Sequence, residues 1–187
     1  MSAAEVFHLT LENRLESLRE GLLPRGGLQL TTDQARWAEK TDTKRPEWIK
    51  GLNISRARAV YAYADLDTAK RIASKNTSEE SAGQKMVVLS IDVDPDKVVV
   101  CDSWTLQDVY NGEDYWNTAL TLDAFRRYFD VIHTEHGLSC EINEAGRGQA
   151  PFAVYLEPEV LLAGRIEPSR LEVVFTSEYP IKPTVKW

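Results

Sequence analysis

Polar and apolar residues alternate from Val6 to Thr10 (Val6-Phe7-His8-Leu9-Thr10), which predicts a half-buried strand with Val6 and His8 on one face and Phe7 and Leu9 on the other. The period then changes. Leu15, Leu18 and Leu22 recur at i, i+3 and i+7, Glu16 and Glu20 fall between them, and Gly21 stands where a C-cap belongs, so Glu12–Leu22 is expected to be an amphipathic helix. Pro24 to Lys50 carries Gly26-Gly27 and a helix-start signal, Thr31-Thr32-Asp33, and reads as loops with a short helix. Ala59–Tyr63 predicts a second strand, and Asp65 caps a helix running to Ser74 with Leu66, Ala69, Ile72 and Ala73 on one side. After a polar linker, Asn76–Gln84, the β-branched runs Lys85–Val93 and Lys97–Cys101 predict strands separated by the turn Asp94-Pro95-Asp96. Trp104–Phe129 reads as mostly helical, followed by strands at Tyr128–His133, Phe152–Leu156 and Leu171–Phe175, the last closing a sheet. Strands and helices do not alternate regularly and no repeat is visible, so the expected fold class is α+β in one domain over residues 1–187.

Composition narrows the function classes. Of the 187 residues 43% are hydrophobic and 27% charged, the make-up of a chain that buries its own core. The net charge of −7 disfavours sequence-blind binding to duplex phosphate or to an anionic membrane surface. That charge is unevenly placed: residues 1–60 hold 10 Lys/Arg against 8 Asp/Glu, and the deficit lies in residues 61–187. The first third is therefore where an anionic small ligand is expected. Two cysteines, Cys101 and Cys140, make neither a disulfide framework nor a four-ligand zinc site. The N-terminus lacks a basic segment followed by an apolar one, and no apolar run is long enough to span a bilayer, which predicts a soluble cytoplasmic protein that does not engage membranes.

Dinucleotide, nucleoside-triphosphate, zinc-protease and serine-hydrolase motifs are missing. His133 and His136 are three apart in an expected strand and so face opposite sides, which argues against joining them with His8 in a metal site; none is expected.

The order of the N-terminal elements, with Val6-Phe7-His8-Leu9-Thr10, Leu15-Glu16-Ser17-Leu18-Arg19-Glu20-Gly21-Leu22 and Val60-Tyr61-Ala62-Tyr63-Ala64-Asp65 before a helix containing Ala69, resembles the histidine–tyrosine–glutamate branch of the ADP-ribosyltransferase superfamily over about the first 75 residues. The resemblance implies a split pair of β-sheets with flanking helices and NAD, as substrate, in the cleft between them. It implies that His8 bonds the nicotinamide ribose hydroxyls, that Leu9 beside it supplies backbone contacts to the carboxamide with Thr10 close by, and that Tyr61 stacks on the nicotinamide with Tyr63 near. An imidazole suits ribose hydroxyls, and a tyrosine face suits a flat heteroaromatic cation. Arg56 and Arg58, at i and i+2, are candidates to hold the diphosphate from one side.

Family enzymes also open a late strand with a glutamate, in an "E-(Y/F)-(V/I)-(V/I)-(F/Y)" context. The nearest segment, Pro151-Phe152-Ala153-Val154-Tyr155-Leu156-Glu157-Pro158-Glu159, puts Pro151 or Phe152 at that place. The carboxylate is accordingly sought elsewhere: Glu141 first, then Gln149 as a substitute, then Glu144. Trp37 and Trp48 are candidates to recognise a planar acceptor. The expected function is transfer of ADP-ribose from NAD to an unidentified protein, nucleic acid or small-molecule acceptor, in the style of a toxin, effector or defence protein, with an antitoxin or other regulatory partner in view. The alternatives are an inactive NAD-, nucleotide- or partner-binding module of the same fold, and an enzyme like RNA 2′-phosphotransferases.

Overall fold

The computed structural model describes residues 4–24, 32–75, 82–106, 112–134 and 137–181. Ten strands and five α-helices are distinguished among them: β1 (Ala4–Leu11), α1 (Thr32–Asp42), α2 (Glu47–Gly51), β2 (Val60–Ala62), α3 (Leu66–Lys75), β3 (Met86–Val93), β4 (Val99–Asp102), α4 (Gly112–Asn117), β5 (Leu120–Thr121), α5 (Leu122–Tyr128), β6 (Phe129–Thr134), β7 (Gly137–Ile142), β8 (Val154–Tyr155), β9 (Pro158–Leu162) and β10 (Leu171–Thr176). They form three antiparallel sheets, ordered β1-β3-β10, β2-β9-β4-β5 and β6-β7-β8, so the class is α+β as expected.

The continuous apolar run of β3 makes it a central strand, flanked by β1 and β10 and covered on one face by α3. Asp65 caps α3 as its sequence predicted, accepting from the Thr68 N–H at 2.7 Å. Asp94-Pro95-Asp96 does turn the chain, but β3 and β4 do not pair: the turn carries the chain from the first sheet to the second.

Residue parity decides which core each side chain joins. Val60, Ala62, Val100, Val160 and Leu162 of the second sheet meet Val6, Ile91 and Val93 of the first and Phe125, Phe129, Cys140 and Tyr155 of the third region in one core. Their neighbours Val99, Cys101 and Leu161 face the other way, onto Ile49, Tyr115 and Trp116. The third sheet is tied in by three aromatic contacts: Phe125 stacks on Phe129 at 5.4 Å, and Tyr155 meets them edge-on at 5.1 and 4.7 Å. Each such pair contributes roughly 0.5–1.5 kcal/mol beyond burial. Burial pushes the Cys140 thiol up to about 12 and the Cys101 thiol well up, so neither is a thiolate nucleophile at neutral pH.

Two expectations are corrected. Glu12–Leu22 is two 3₁₀ turns, Glu12–Arg14 and Glu16–Glu20, rather than an α-helix, although Leu22 is buried and Glu16 and Glu20 exposed as the periodicity required. Both ends are pinned, the Glu12 N–H to Lys85 O at 3.0 Å and the Leu22 N–H to Ile166 O at 2.9 Å, and the chain between takes the form with the longer rise per residue. Phe152–Leu156 contributes only the two-residue strand β8, while β7 and β9 are strands to which the sequence reading assigned no element. Gly26-Gly27, residues 76–81 of the polar linker, His136 and Trp187 lie outside the described residues.

Gly21 closes the second 3₁₀ turn at φ 91°, and a Cβ there would sit 2.4 Å from the Ile166 carbonyl oxygen. Backbone cannot yield as a side chain can. Gly21→Ala is expected to cost about 2–3 kcal/mol, through strain plus displacement of the Leu22–Ile166 bridge. For a chain of this length that lowers Tm by roughly 5–10 °C, readable by thermal circular dichroism; an unchanged Tm would contradict the close packing described.

Candidate functional site

The first two sheets are bridged through Phe7 and Tyr63, which exchange backbone hydrogen bonds of 2.9 and 2.8 Å. Beyond that pair β1 and β2 part, and a side chain replaces the ladder: His8 Nδ1 lies 2.7 Å from the Tyr61 carbonyl oxygen. A carbonyl only accepts, so Nδ1 carries the hydrogen and donates, and Nε2 of the neutral ring is an acceptor. The fold thus brings His8 and Tyr61 together beside the Phe7–Tyr63 bridge.

Tyr61 and Tyr63 separate there. Tyr61 packs with the cluster around Tyr115 and Leu161, Tyr63 with that around Phe7 and Ala69. The Tyr61 hydroxyl donates to the Arg56 carbonyl. Leu9 belongs to the outer cluster below α3, and Thr10 is buried opposite Val87 of β3.

Arg56 begins a 3₁₀ turn, Arg56–Arg58, so the two arginines do not share a strand face: Arg56 turns inward and Arg58 is exposed. The Arg56 guanidinium lies 5.8 Å from the Tyr61 ring centre and 5.3 Å from that of Tyr115, and its Nε is 3.1 Å from Glu159 Oε1. Tyr115, on α4, donates its hydroxyl to the same oxygen. Burial works against the Arg56 charge, but attraction to Glu159, Tyr61 and Tyr115 outweighs it and pushes the pKa up. Burial, then Cys101 and Glu159, push the Tyr115 phenol well up, so it stays protonated and remains a donor.

Asp42 pins the Arg56 backbone. Its Oδ1 accepts from the Arg56 N–H at 2.9 Å, and its Oδ2 from the Ser55 hydroxyl at 2.6 Å and the Ala57 N–H at 3.1 Å. A carboxylate at the C-terminus of α1 opposes the helix dipole. Three donors from the Arg56 segment offset that cost. The end of α1 is fixed in turn against α4, where the Trp116 indole donates to Thr41 O at 2.9 Å and a Cβ on Gly112 would lie 2.7 Å from Thr41 Cα.

Glu159 is the residue that sequence reasoning passed over. It stands second in β9, the strand paired antiparallel with β2 on one side and β4 on the other, in register with Cys101. Glu159-Val160-Leu161-Leu162 is a glutamate heading an apolar β-run. That signal was present but passed over, because the strand was sought at Phe152. The sequence-derived substitutes lie elsewhere. Glu141 is exposed on β7, between Asp130 and Val154 of the neighbouring strands; Glu144 and Gln149 are exposed in the turns that follow. None of them belongs to the sheets that hold His8 and Tyr61. Trp48 is exposed on α2, and Trp37 is half-buried on α1 beneath Lys40 Nζ, 5.2 Å from its ring centre. No helix among the described residues is long and apolar enough to cross a membrane.

What results is a continuous line of contacts, His8 to Tyr61 to Arg56 to Glu159 to Tyr115, drawn from β1, β2, the Arg56–Arg58 turn, β9 and α4. Comparison with protein-family models, with curated proteins and with solved structures finds no match to this chain.

Proposed function

We propose that the chain is an NAD-dependent ADP-ribosyltransferase in which His8, Tyr61 and Glu159 do the work, on a split-sheet fold of the ADP-ribosyltransferase type. The observation that carries this reading is that β2 and β9, paired in one sheet, and β1, joined to the chain just after β2 by the Phe7–Tyr63 bridge, present a tyrosine, a glutamate near the start of its strand and a histidine in one line of contacts. Glu159 thereby takes the role for which Glu141, Gln149 and Glu144 were candidates.

The chemistry asked of each group suits its surroundings. His8 Nε2 accepts from a ribose hydroxyl while Nδ1 is held by Tyr61 O. Tyr61 offers a ring face to the nicotinamide. Both donors to Glu159 converge on Oε1, so Oε2 is the oxygen that meets the ribose 2′-hydroxyl. Its charge stabilises the positive charge that develops as the C1′–N bond breaks and its electron pair leaves with nicotinamide. The acceptor nucleophile then bonds to C1′ and gives up a proton. Arg56 lies against the carboxylate in a half-buried position, with side-chain exposures of 22% for Arg56 and 16% for Glu159.

The test is incubation with NAD⁺ labelled in its adenylate half, together with cell lysate. Release of free nicotinamide with label on an acceptor is the expected result, lost in His8→Ala. NAD⁺ that is bound and recovered intact would instead support an inactive binding module and sink the transferase reading.

A further inference from the structure

Asp102 ends β4 and is buried, with 5% of its surface exposed, yet all three partners of its carboxylate are backbone N–H groups. Oδ1 accepts from Glu157 at 2.8 Å and from Trp104 at 3.2 Å, and Oδ2 accepts from Leu156 at 3.0 Å. Leu156 and Glu157 are the residues from which the chain enters β9, and Asp102 lies in register with Pro158, one residue before Glu159. The Asp102 N–H donates to Thr118 Oγ1 at 2.9 Å, and the Thr118 hydroxyl donates to Tyr115 O at 2.6 Å. Asp102 is therefore joined to both sides of the Tyr115–Glu159 bond: through its carboxylate to the backbone leading to Glu159, and through its amide to the end of α4 that carries Tyr115.

We propose that Asp102 is a positioning residue, which sets where the Glu159 carboxylate stands by fixing the segment ahead of β9 and the Tyr115 turn together. The inference rests on the transferase reading above. A capping oxygen alone would need one lone pair; three converging N–H groups use both oxygens of the side chain as acceptors. In Asp102→Asn one of the two oxygens becomes an NH₂ group, which faces a backbone N–H, donor against donor. The segment then shifts, and a displacement on the ångström scale at a reacting group is costly to the rate while leaving substrate affinity largely intact.

The experiment measures kcat and KM for nicotinamide release by the full chain, at a temperature where circular dichroism shows each variant folded. Asp102→Asn is expected to lower kcat by about tenfold or more with KM for NAD⁺ changed less than about threefold, and to speed hydrogen exchange at the Leu156 and Glu157 amides. Asp94→Asn is the comparison: Asp94 also caps backbone, accepting from the Asp96 N–H at 3.3 Å, but on the β3–β4 crossover, and its variant is expected to keep the wild-type kcat. Should Asp102→Asn fail to fold, Thr118→Val removes only the hydroxyl link and is expected to lower kcat by about threefold. Wild-type kcat in the Asp102 variant, or in the Thr118 variant where that one is needed, while Glu159→Gln is inactive, overturns the positioning role and leaves the transferase reading standing. A wild-type protein that releases no nicotinamide overturns both.

Discussion

Glu159→Gln is expected to slow nicotinamide release by about 10²–10³-fold, the loss seen when one group aimed at developing charge is neutralised. The substitution keeps the shape. A glutamine oxygen still accepts from Arg56 Nε and from the Tyr115 hydroxyl, so the carbonyl oxygen replaces Oε1 and the amide group falls where Oε2 met the ribose. What is removed is the negative charge, and with it the stabilisation of a positively charged sugar in the transition state. Because that interaction strengthens only as the C1′–N bond breaks, the loss belongs in kcat, with KM for NAD⁺ little changed. Steady-state kinetics on the folded variant check it. If Glu159→Gln kept the wild-type rate and Glu141→Ala carried the loss, the carboxylate first chosen from sequence would be the catalytic one and the site would have to be rebuilt around β7.

That confusion of carboxylates shows what the sequence conveys and what it withholds. Alternation announced β1, short runs rich in β-branched and apolar residues announced β3, β4 and β10, and Asp65 announced the start of α3, because those signals are local. His8 and Tyr61 were candidates through the family resemblance of the segments around them. Their meeting could not be read there, since it depends on 53 residues of separation closed by one bridge, Phe7–Tyr63. β7 and β9 escaped for a different reason. Gly137-Leu-Ser-Cys-Glu-Ile carries polar residues on a sheet face open to solvent, and Pro158 precedes a run whose strand identity comes from pairing with both β2 and β4. Propensity gives way there to tertiary pairing. The inward turn of Arg56 is likewise a tertiary event, set by Asp42 fourteen residues earlier and by Glu159 on a strand 103 residues later.

Arg56→Met is expected to lower stability by about 2–4 kcal/mol, measured by urea denaturation. Removing one member of a buried ion pair costs roughly 3–5 kcal/mol because the other charge is left unpaired. Here the side chains retain 22% and 16% of their exposure, so solvent screens part of that penalty. The contacts over the Tyr61 and Tyr115 rings, at 5.8 and 5.3 Å, are lost too and add about 0.5–1 kcal/mol each. Methionine fills much of the space along the ring faces, so the effect isolates charge rather than volume. The decisive measurement is the double variant. If the cost comes from stranding the Glu159 carboxylate, neutralising it should return part of the loss, and Arg56→Met/Glu159→Gln should be more stable than Arg56→Met alone by about 1–2 kcal/mol. Strict additivity of the two single effects would mean that Arg56 contributes only packing, and that Tyr115 and the strand pairing of β9 suffice to hold Glu159 without it.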